Sequence, residues 1–428
     1  MIITESREKV KRKAFSLINK LDKMATVPIK KFILEMSFGI IMTGSSNVNL
    51  IASKLKEHSA VKHTIKRLQR MLLRSRVLGF ANKLSLLESI KKIDLDTVIA
   101  LDGGDISHQY GKKFEKSAVV KDGSSGRFRM GYWLNQISGY NPKSGETFPV
   151  LLDIYSTLEK GFKSANVETF KIADKLVEKI GSIGLWVLDR GYDSGRILSY
   201  FLDNNLNFVV RMKTNRDIIY EGKKINIFDA AKKINRRTRY NTVSRFGTSK
   251  IKLELNKSTY ELTLICYKDK RNKKPIIFLT NGWIKSTKEL KRRIRSYFYR
   301  WGVEESYRFE KQGFGIEKSK TRNYERIKTL LGLTIISWLI LIKVNEQPKL
   351  KEAVLKEAKM EKDKPKNRPK FIYYRLHRGI QNLFEGVKKL FSFRSRKKEK
   401  EKLKKYFLKN LPVFKKLPVD HLWIQVVA

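Results

Sequence analysis

The sequence has one cysteine, Cys266, in 428 residues. That excludes an internal disulfide and a cysteine-rich zinc site, and it points to a cytosolic setting. Histidine is also scarce: His58, His63, His108, His377 and His421. No two stand at H-x-H or H-E-x-x-H spacing, so no histidine-centred metal site is expected. The start of the chain carries no apolar signal-peptide run. Long hydrophobic runs are missing too. The greasiest stretch, 329–342, has 14 residues between Lys328 and Lys343. It is too short to span a bilayer and reads as a buried core helix. Negative charge is the last shortage. With 42 Asp+Glu against 92 Lys+Arg, the net charge is +50. Such a chain repels itself unless it meets a polyanion, so the expected partner is nucleic acid rather than a membrane.

What is present is enough for a core. The chain is 41% hydrophobic and 31% charged, which excludes wholesale disorder. Its length suggests roughly two or three domains. Residues 1–95 read as a helical, basic DNA-binding region. Ser46 or Asn47 caps a helix burying Leu50, Ile51 and Leu55. A second helix, about 61–73, carries Lys62, Lys66, Arg67, Arg70 and Arg74. The pair is either a helix-turn-helix or part of an ordinary bundle with a basic face.

The period then changes. Residues 97–101, 131–140, 147–155, 185–188 and 208–210 have strand character, and 165–179 and a segment starting near Ser194 read as helices. On 165–179, Val167, Phe170, Ala173 and Leu176 share one face. The order β-β-β-α-β-α-β predicts a mixed α/β sheet over 96–213. Residues 214–275 alternate (Ile251, Leu253, Leu255; Tyr260, Leu262, Leu264, Tyr267, with a slip near Cys266) and predict an antiparallel β insertion. Residues 276–345 return to a strand, one long helix over about 287–312 and another over 327–344, as the second part of the core. Residues 346–428 form a basic helical tail. Over 349–410 there are 22 Lys+Arg against 7 Asp+Glu, with Leu383, Phe384, Val387, Leu390 and Phe391 on an amphipathic stretch. Arg394 to Lys405 is nearly all charged and suits phosphate tracking.

Two carboxylates stand at strand ends, Asp102 and Asp189. That edge of an α/β sheet is where ligands bind. Paired carboxylates suit Mg²⁺ or Mn²⁺, and two such ions about 4 Å apart serve phosphoryl transfer. Asp105 and Asp193 are rivals: Asp105 falls in the predicted turn after the strand, and Asp193 suits a helix N-terminus. A third element is Tyr297-x2-Arg300-x3-Glu304-x6-Lys311. At 100° per residue all four lie in a stripe about 60° wide. Glu304 there suits metal, and Tyr297, Arg300 and Lys311 suit a DNA phosphate. A solvated ion-paired stripe is the alternative. Glu305 and Glu310 fall off it. Trp301 beside it either stacks on an unstacked base or packs in the core. Lys213 closes a strand as a phosphate contact. Arg190 orients Asp189, meets DNA, or makes a structural ion pair.

These motifs, Ile99-Ala100-Leu101-Asp102, Val187-Leu188-Asp189-Arg190-Gly191-Tyr192 and the Y-R-E-K signature, resemble those of bacterial DDE transposases of the insertion sequence 4 family. The resemblance covers about residues 95–345. It departs at Asp102-Gly103-Gly104-Asp105, where the family commonly has Asp-x-Thr. It implies a ribonuclease-H-like catalytic core with a β-rich insertion. It also implies cut-and-paste transposition with Asp102, Asp189 and Glu304 holding two divalent ions, with a DNA hairpin in its better-understood members. Its implied partners are the double-stranded element ends and target DNA, with a homodimer in the DNA complex. Its implied location is the bacterial cytoplasm, at the nucleoid. A stand-alone nuclease and an inactive DNA-binding derivative are the alternatives.

Overall fold

The computed structural model describes residues 3–21, 24–74, 76–107, 113–123, 125–237, 244–269, 274–360, 370–387 and 391. The expectations on Leu390 and on 394–405 lie outside the described residues. The chain divides into two compact units: Met1–Ser85 with Gly111–Glu115 and Arg308–Ala428, and Leu86–Tyr110 with Lys116–Tyr307.

The helical unit opens with α1 (Ile3–Asn19), α2 (Val27–Thr43), α3 (Val48–Leu55) and α4 (Val61–Arg74), and α5 (Val77–Ile90) leads towards the sheet. Asn47 caps α3, its side chain accepting the Asn49 N–H at 2.9 Å. Ile51 and Leu55 are buried as expected, but Leu50 is exposed and Ala52 takes its place in the core. The helix is only eight residues long, so its buried face is one narrow stripe and Leu50 falls beside it.

The sheet unit holds β1 (Val98–Ser107), β2 (Ala118–Lys121), β3 (Phe128–Asn141), β4 (Glu146–Tyr155), α6 (Ala165–Ile180), β5 (Leu185–Leu188), α7 (Gly195–Asp203) and β6 (Phe208–Arg211). Next come β7 (Asp217–Tyr220), β8 (Lys223–Asn226), α8 (Ile227–Arg237), β9 (Ser244–Leu255), β10 (Ser258–Asp269) and β11 (Ile276–Thr280). The helices α9 (Thr287–Tyr299) and α10 (Trp301–Gly313) follow. Strands β4, β3 and β1 form an antiparallel meander, and β5 and β6 continue it in parallel with β1. Helices α6 and α7 supply the crossovers, as parallel neighbours require. The order β4-β3-β1-β5-β6 agrees with the expected ribonuclease-H-like core. On α6 the buried stripe is Thr169, Ile172, Ala173, Leu176 and Ile180, so Val167 and Phe170 sit at its margin.

The insertion is no separate sheet. Strand β11 pairs antiparallel with β6, β10 with β11, and β9 with β10, so the sheet runs on to eleven strands. The apparent slip at Cys266 is not a bulge, because β10 keeps register with β9 from Ser258 to Asp269. Thr263, Leu264, Ile265 and Cys266 are all buried there, so both faces of the strand are covered and alternation fades. Helix α8 and strand β2 were not legible from the pattern.

The helical unit is completed by α11 (Tyr324–Asn345), α12 (Pro348–Glu357) and α13 (Ile372–Leu383). The apolar run 329–342 extends at both ends into the 22-residue α11. This helix is long and apolar enough to cross a membrane, yet 89% of its most apolar window is buried inside the protein. Leu383 and Phe384 are buried too, and the Phe391 ring lies 5.3 Å from that of Phe38.

Candidate active site

Leu101 of β1 pairs with Leu188 of β5 in the last rung of their parallel ladder. Asp102 and Asp189 are the next residues on two strands about 4.8 Å apart. Equal level and equal pleat phase bring the two carboxylates to one edge. The expectation that β1 stops at Asp102 needs correction. Its antiparallel ladder with β3 continues through Asp105 to Ser107. Asp102 thus marks the end of one neighbour and not of the strand. Three residues on, Asp105 has opposite pleat parity, is buried, and accepts the Gly123 N–H at 3.0 Å. Asp193 is buried as well: Arg216 pairs with it at 2.6 Å and the Lys213 N–H donates to it at 2.7 Å. Both rivals are occupied in holding loops.

The expected single helix over 287–312 is two helices meeting at Arg300. The turn tightens there: the Arg300 N–H bonds the Tyr297 carbonyl, and the Val303 N–H bonds the Arg300 carbonyl at 2.8 Å. Bonds spanning three residues change the local pitch, so one wheel does not describe 297–311. Tyr297, Arg300 and Glu304 nevertheless converge. The Tyr297 hydroxyl donates to Asp189 Oδ1 at 3.2 Å. Arg300 Nη1 lies 2.8 Å from Glu304 and 3.5 Å from Asp102, and its Nη2 lies 3.9 Å from Asp189. One guanidinium therefore stands among three carboxylates. Its Nε is buried without a hydrogen-bond partner, and it lies over the Tyr297 ring at 5.4 Å.

Depth grades across the site. Asp102 is the most enclosed carboxylate at 15% side-chain exposure, and Asp189 and Glu304 are open at 39% and 45%. Burial pushes Asp102 up to about 7; Arg300 opposes this, and Asp189 and Glu304 add to it. Even with a guanidinium present, the site has more negative charge than it can hold comfortably.

Two groups escaped sequence reasoning. The Tyr307 hydroxyl donates to the Asp102 carbonyl at 2.9 Å. Its ring lies on Gly104, where a Cβ would come within 2.9 Å of it, and a Cβ at Gly103 would stand 3.3 Å from the Tyr192 hydroxyl. Gly103 and Gly104 thus leave the space that two tyrosines occupy. The signal for Tyr307 was its position three residues after Glu304, on the same helix face.

The other expected residues are placed as follows. Trp301 is 65% exposed, which removes the core-packing reading. Arg190 is exposed in the short turn after β5. Lys213 Nζ donates to the Asp193 carbonyl at 3.3 Å. Lys311 belongs to the helical unit, where it pairs with Glu317 at 3.1 Å. Glu310 is buried in that unit too.

The sequence over residues 94–340 matches the Transposase DDE domain family. The chain belongs to that family. It is a DNA-cleaving transposase, and Asp102, Asp189 and Glu304 lie within the matched span. No curated protein matches the chain. Among solved structures, a piggyBac transposase synaptic complex with hairpin DNA is similar at 12% identity and TM-score 0.45, covering 92% of this chain and 82% of that one. Endonuclease V from Bacillus subtilis is similar at 10% identity and TM-score 0.25, covering 50% of this chain and 80% of that one.

The residues fit a divalent cation. Among the described residues no three acidic, histidine or cysteine side chains stand close enough together to hold one as they are. Here Arg300 lies between them. But the donors are all carboxylate oxygens, the choice of Mg²⁺ and Mn²⁺, and they already gather round a positive charge.

Proposed function

We propose that the chain is a cut-and-paste transposase of the insertion sequence 4 type, with Asp102, Asp189 and Glu304 as its catalytic, metal-holding carboxylates. The supporting observation is their convergence on Arg300 at the end of the β1–β5 ladder. Two Mg²⁺ or Mn²⁺ ions, when bound, supply charge that activates the attacking oxygen and stabilises the leaving one.

The chain's own residues do the rest. Tyr297 fixes Asp189, and Tyr307 and the two glycines fix the strand at Asp102. Once the carboxylates hold metal, Arg300 has donors free for a phosphate oxygen, where a fork of N–H groups is well matched. Trp301, exposed at the start of α10, offers a ring to an unstacked base. Arg190, Lys213 and Lys311 add phosphate contacts.

Water oxygen attacks phosphorus at the element end and the P–O3′ bond breaks, leaving a 3′-OH and a 5′-phosphate. The 3′ oxygen then attacks the opposite strand, closing a hairpin and releasing flanking DNA with its own 3′-OH. Water reopens the hairpin, and the restored 3′ oxygen attacks target DNA. Two ends are joined in one event, which a homodimer on DNA accomplishes in the cytoplasm, at the nucleoid.

The test is Mg²⁺-dependent cleavage and joining of DNA carrying the flanking element ends, wild type against Glu304→Gln. Wild type should cut and join, and the variant should lose at least about 100-fold while still binding. Equal cutting by both would remove Glu304 from the site. Cutting without joining would favour the stand-alone nuclease, and binding without cutting by either protein the inactive derivative.

A further inference from the structure

Helix α4 has no acidic residue. Its inner stripe, Thr64, Leu68 and Leu72, is buried in the helical unit. One flank is locked by charge: Arg67 pairs with the buried Glu35 of α2 at 2.8 Å and with Glu57 at 2.8 Å, and Thr64 donates to Glu57 at 2.7 Å. Arg67 is therefore a structural cation and no part of a free basic face.

The outer side is different. Lys62, Lys66, Gln69, Arg70 and Leu73 follow one another at helical spacing, about 150° round the axis from Leu68. Lys62, His63, Lys66, Arg70 and Leu73 are exposed. With Arg326 of α11, the residues His63, Lys66, Gln69 and Arg70 line an open cleft of about 390 Å³. The sheet unit's basic cleft is less available, since Lys143 and Arg292 there already pair with Asp96 at 3.2 and 2.9 Å.

We infer that the outer face of α4 enters the major groove of double-stranded DNA and reads base edges there, with Gln69 and Arg70 as the reading side chains. Three features select this occupant. Apart from the exposed Leu73 the face is cationic and polar, complementary to a polyanion. At 14 residues α4 presents a rod about 10–12 Å wide to a groove about 12 Å wide. The residue types match base chemistry: Arg forks onto guanine, Gln onto adenine, and a flanking Lys reaches phosphate. Helix α3 and the turn 56–60 precede α4, which gives it the second place in a helix-turn-helix. That the natural DNA is the element's end rests on the proposed transposase function; base reading by α4 does not.

The experiment is selection by the full-length protein from a pool of random-sequence duplexes, without divalent metal, followed by affinity measurement. Wild type should enrich a motif. Gln69→Ala and Arg70→Ala should each lose preference at one or two adjacent base pairs, with about a 5- to 150-fold loss of affinity for the motif. Their affinity for unselected duplex should stay within about threefold for Gln69→Ala, which removes no charge. Both variants should keep the wild-type melting temperature, because neither side chain belongs to the buried stripe. No motif from wild type, an unchanged motif from both variants, or an equal loss on motif and unselected DNA would overturn base reading. A wild type that selects a motif but never cuts would uphold α4 and sink the transposase reaction.

Discussion

Arg300 Nη1 stands 3.5 Å from Asp102 Oδ2, between that carboxylate and Glu304. The guanidinium stands where the proposed metal site would hold an ion, and it is almost completely buried. Removing it leaves the three carboxylates without the guanidinium that pairs with all of them. Arg300→Gln should therefore destabilise the metal-free protein by about 3 kcal/mol. Mg²⁺ should restore more stability to the variant than to wild type, since the ion no longer competes with a guanidinium. Thermal melting across a Mg²⁺ series measures this. An Mg²⁺ shift no larger than that of wild type would mean that Arg300 does not cover the metal site.

Asp102 gives the site a pH dependence. Burial raises its pKa from 3.8 to about 7 in the folded, metal-free protein. Folding therefore takes up a proton between those values. The stability this carboxyl allows is present below pH 4 and is lost as pH rises through 7. At the proposed metal site a divalent ion would displace the same proton, so Mg²⁺ affinity should fall up to about tenfold per pH unit below 7 and level off above it. Calorimetric titration from pH 5.5 to 8 reads this directly, and a flat profile would count against Asp102 as a ligand.

Much of this site was legible in the sequence, and the reasons are local. Asp102 and Asp189 each follow a short apolar run, and parallel pairing alone puts them level. Glu304 was found by helical spacing even though the helix is broken at Arg300, because the break is a single tightened turn. What escaped depends on distant chain segments. Tyr307 matters through its contact with Gly104, some two hundred residues earlier, which no window on either segment reveals. Arg67 is one of five cations on its helix, and nothing local to that helix shows that it pairs with the buried Glu35 of another. The antiparallel insertion is legible from its alternating strands, but the backbone pairing through β11 that joins it to the core sheet is not.

Gly104 yields a test of that long-range contact. An alanine Cβ would come within 2.9 Å of the Tyr307 ring, which must shift and draw its hydroxyl from the Asp102 carbonyl. Gly104→Ala should cost about 1–3 kcal/mol of stability. Tyr307→Phe removes only the hydrogen bond and should cost about 1 kcal/mol. If the contact positions Asp102, both variants should lose more cleavage rate than their melting temperatures explain. Cleavage assays at a temperature where each variant is fully folded separate the two effects. Wild-type rates in Tyr307→Phe would make the contact purely structural.

Glu310 provides a prediction outside the proposed catalytic carboxylates. Its side chain is buried in the helical unit, and Oε1 has no hydrogen-bond partner. Desolvation is the sole cause that pushes its pKa up to about 8. The folded protein thus holds this carboxyl neutral at pH 7, whereas the unfolded chain ionises it near 4.5. Wild-type stability should decline by up to about 1.4 kcal/mol per pH unit across that window from this group. Glu310→Gln cannot ionise and should escape the decline. Its stability relative to wild type should therefore rise steadily from pH 5 to 8, whatever its absolute value. Denaturant unfolding of the two proteins at matched pH values measures the difference. A constant difference over that range would show that Glu310 is already ionised in the folded state, paired with a cation or water that offsets its burial.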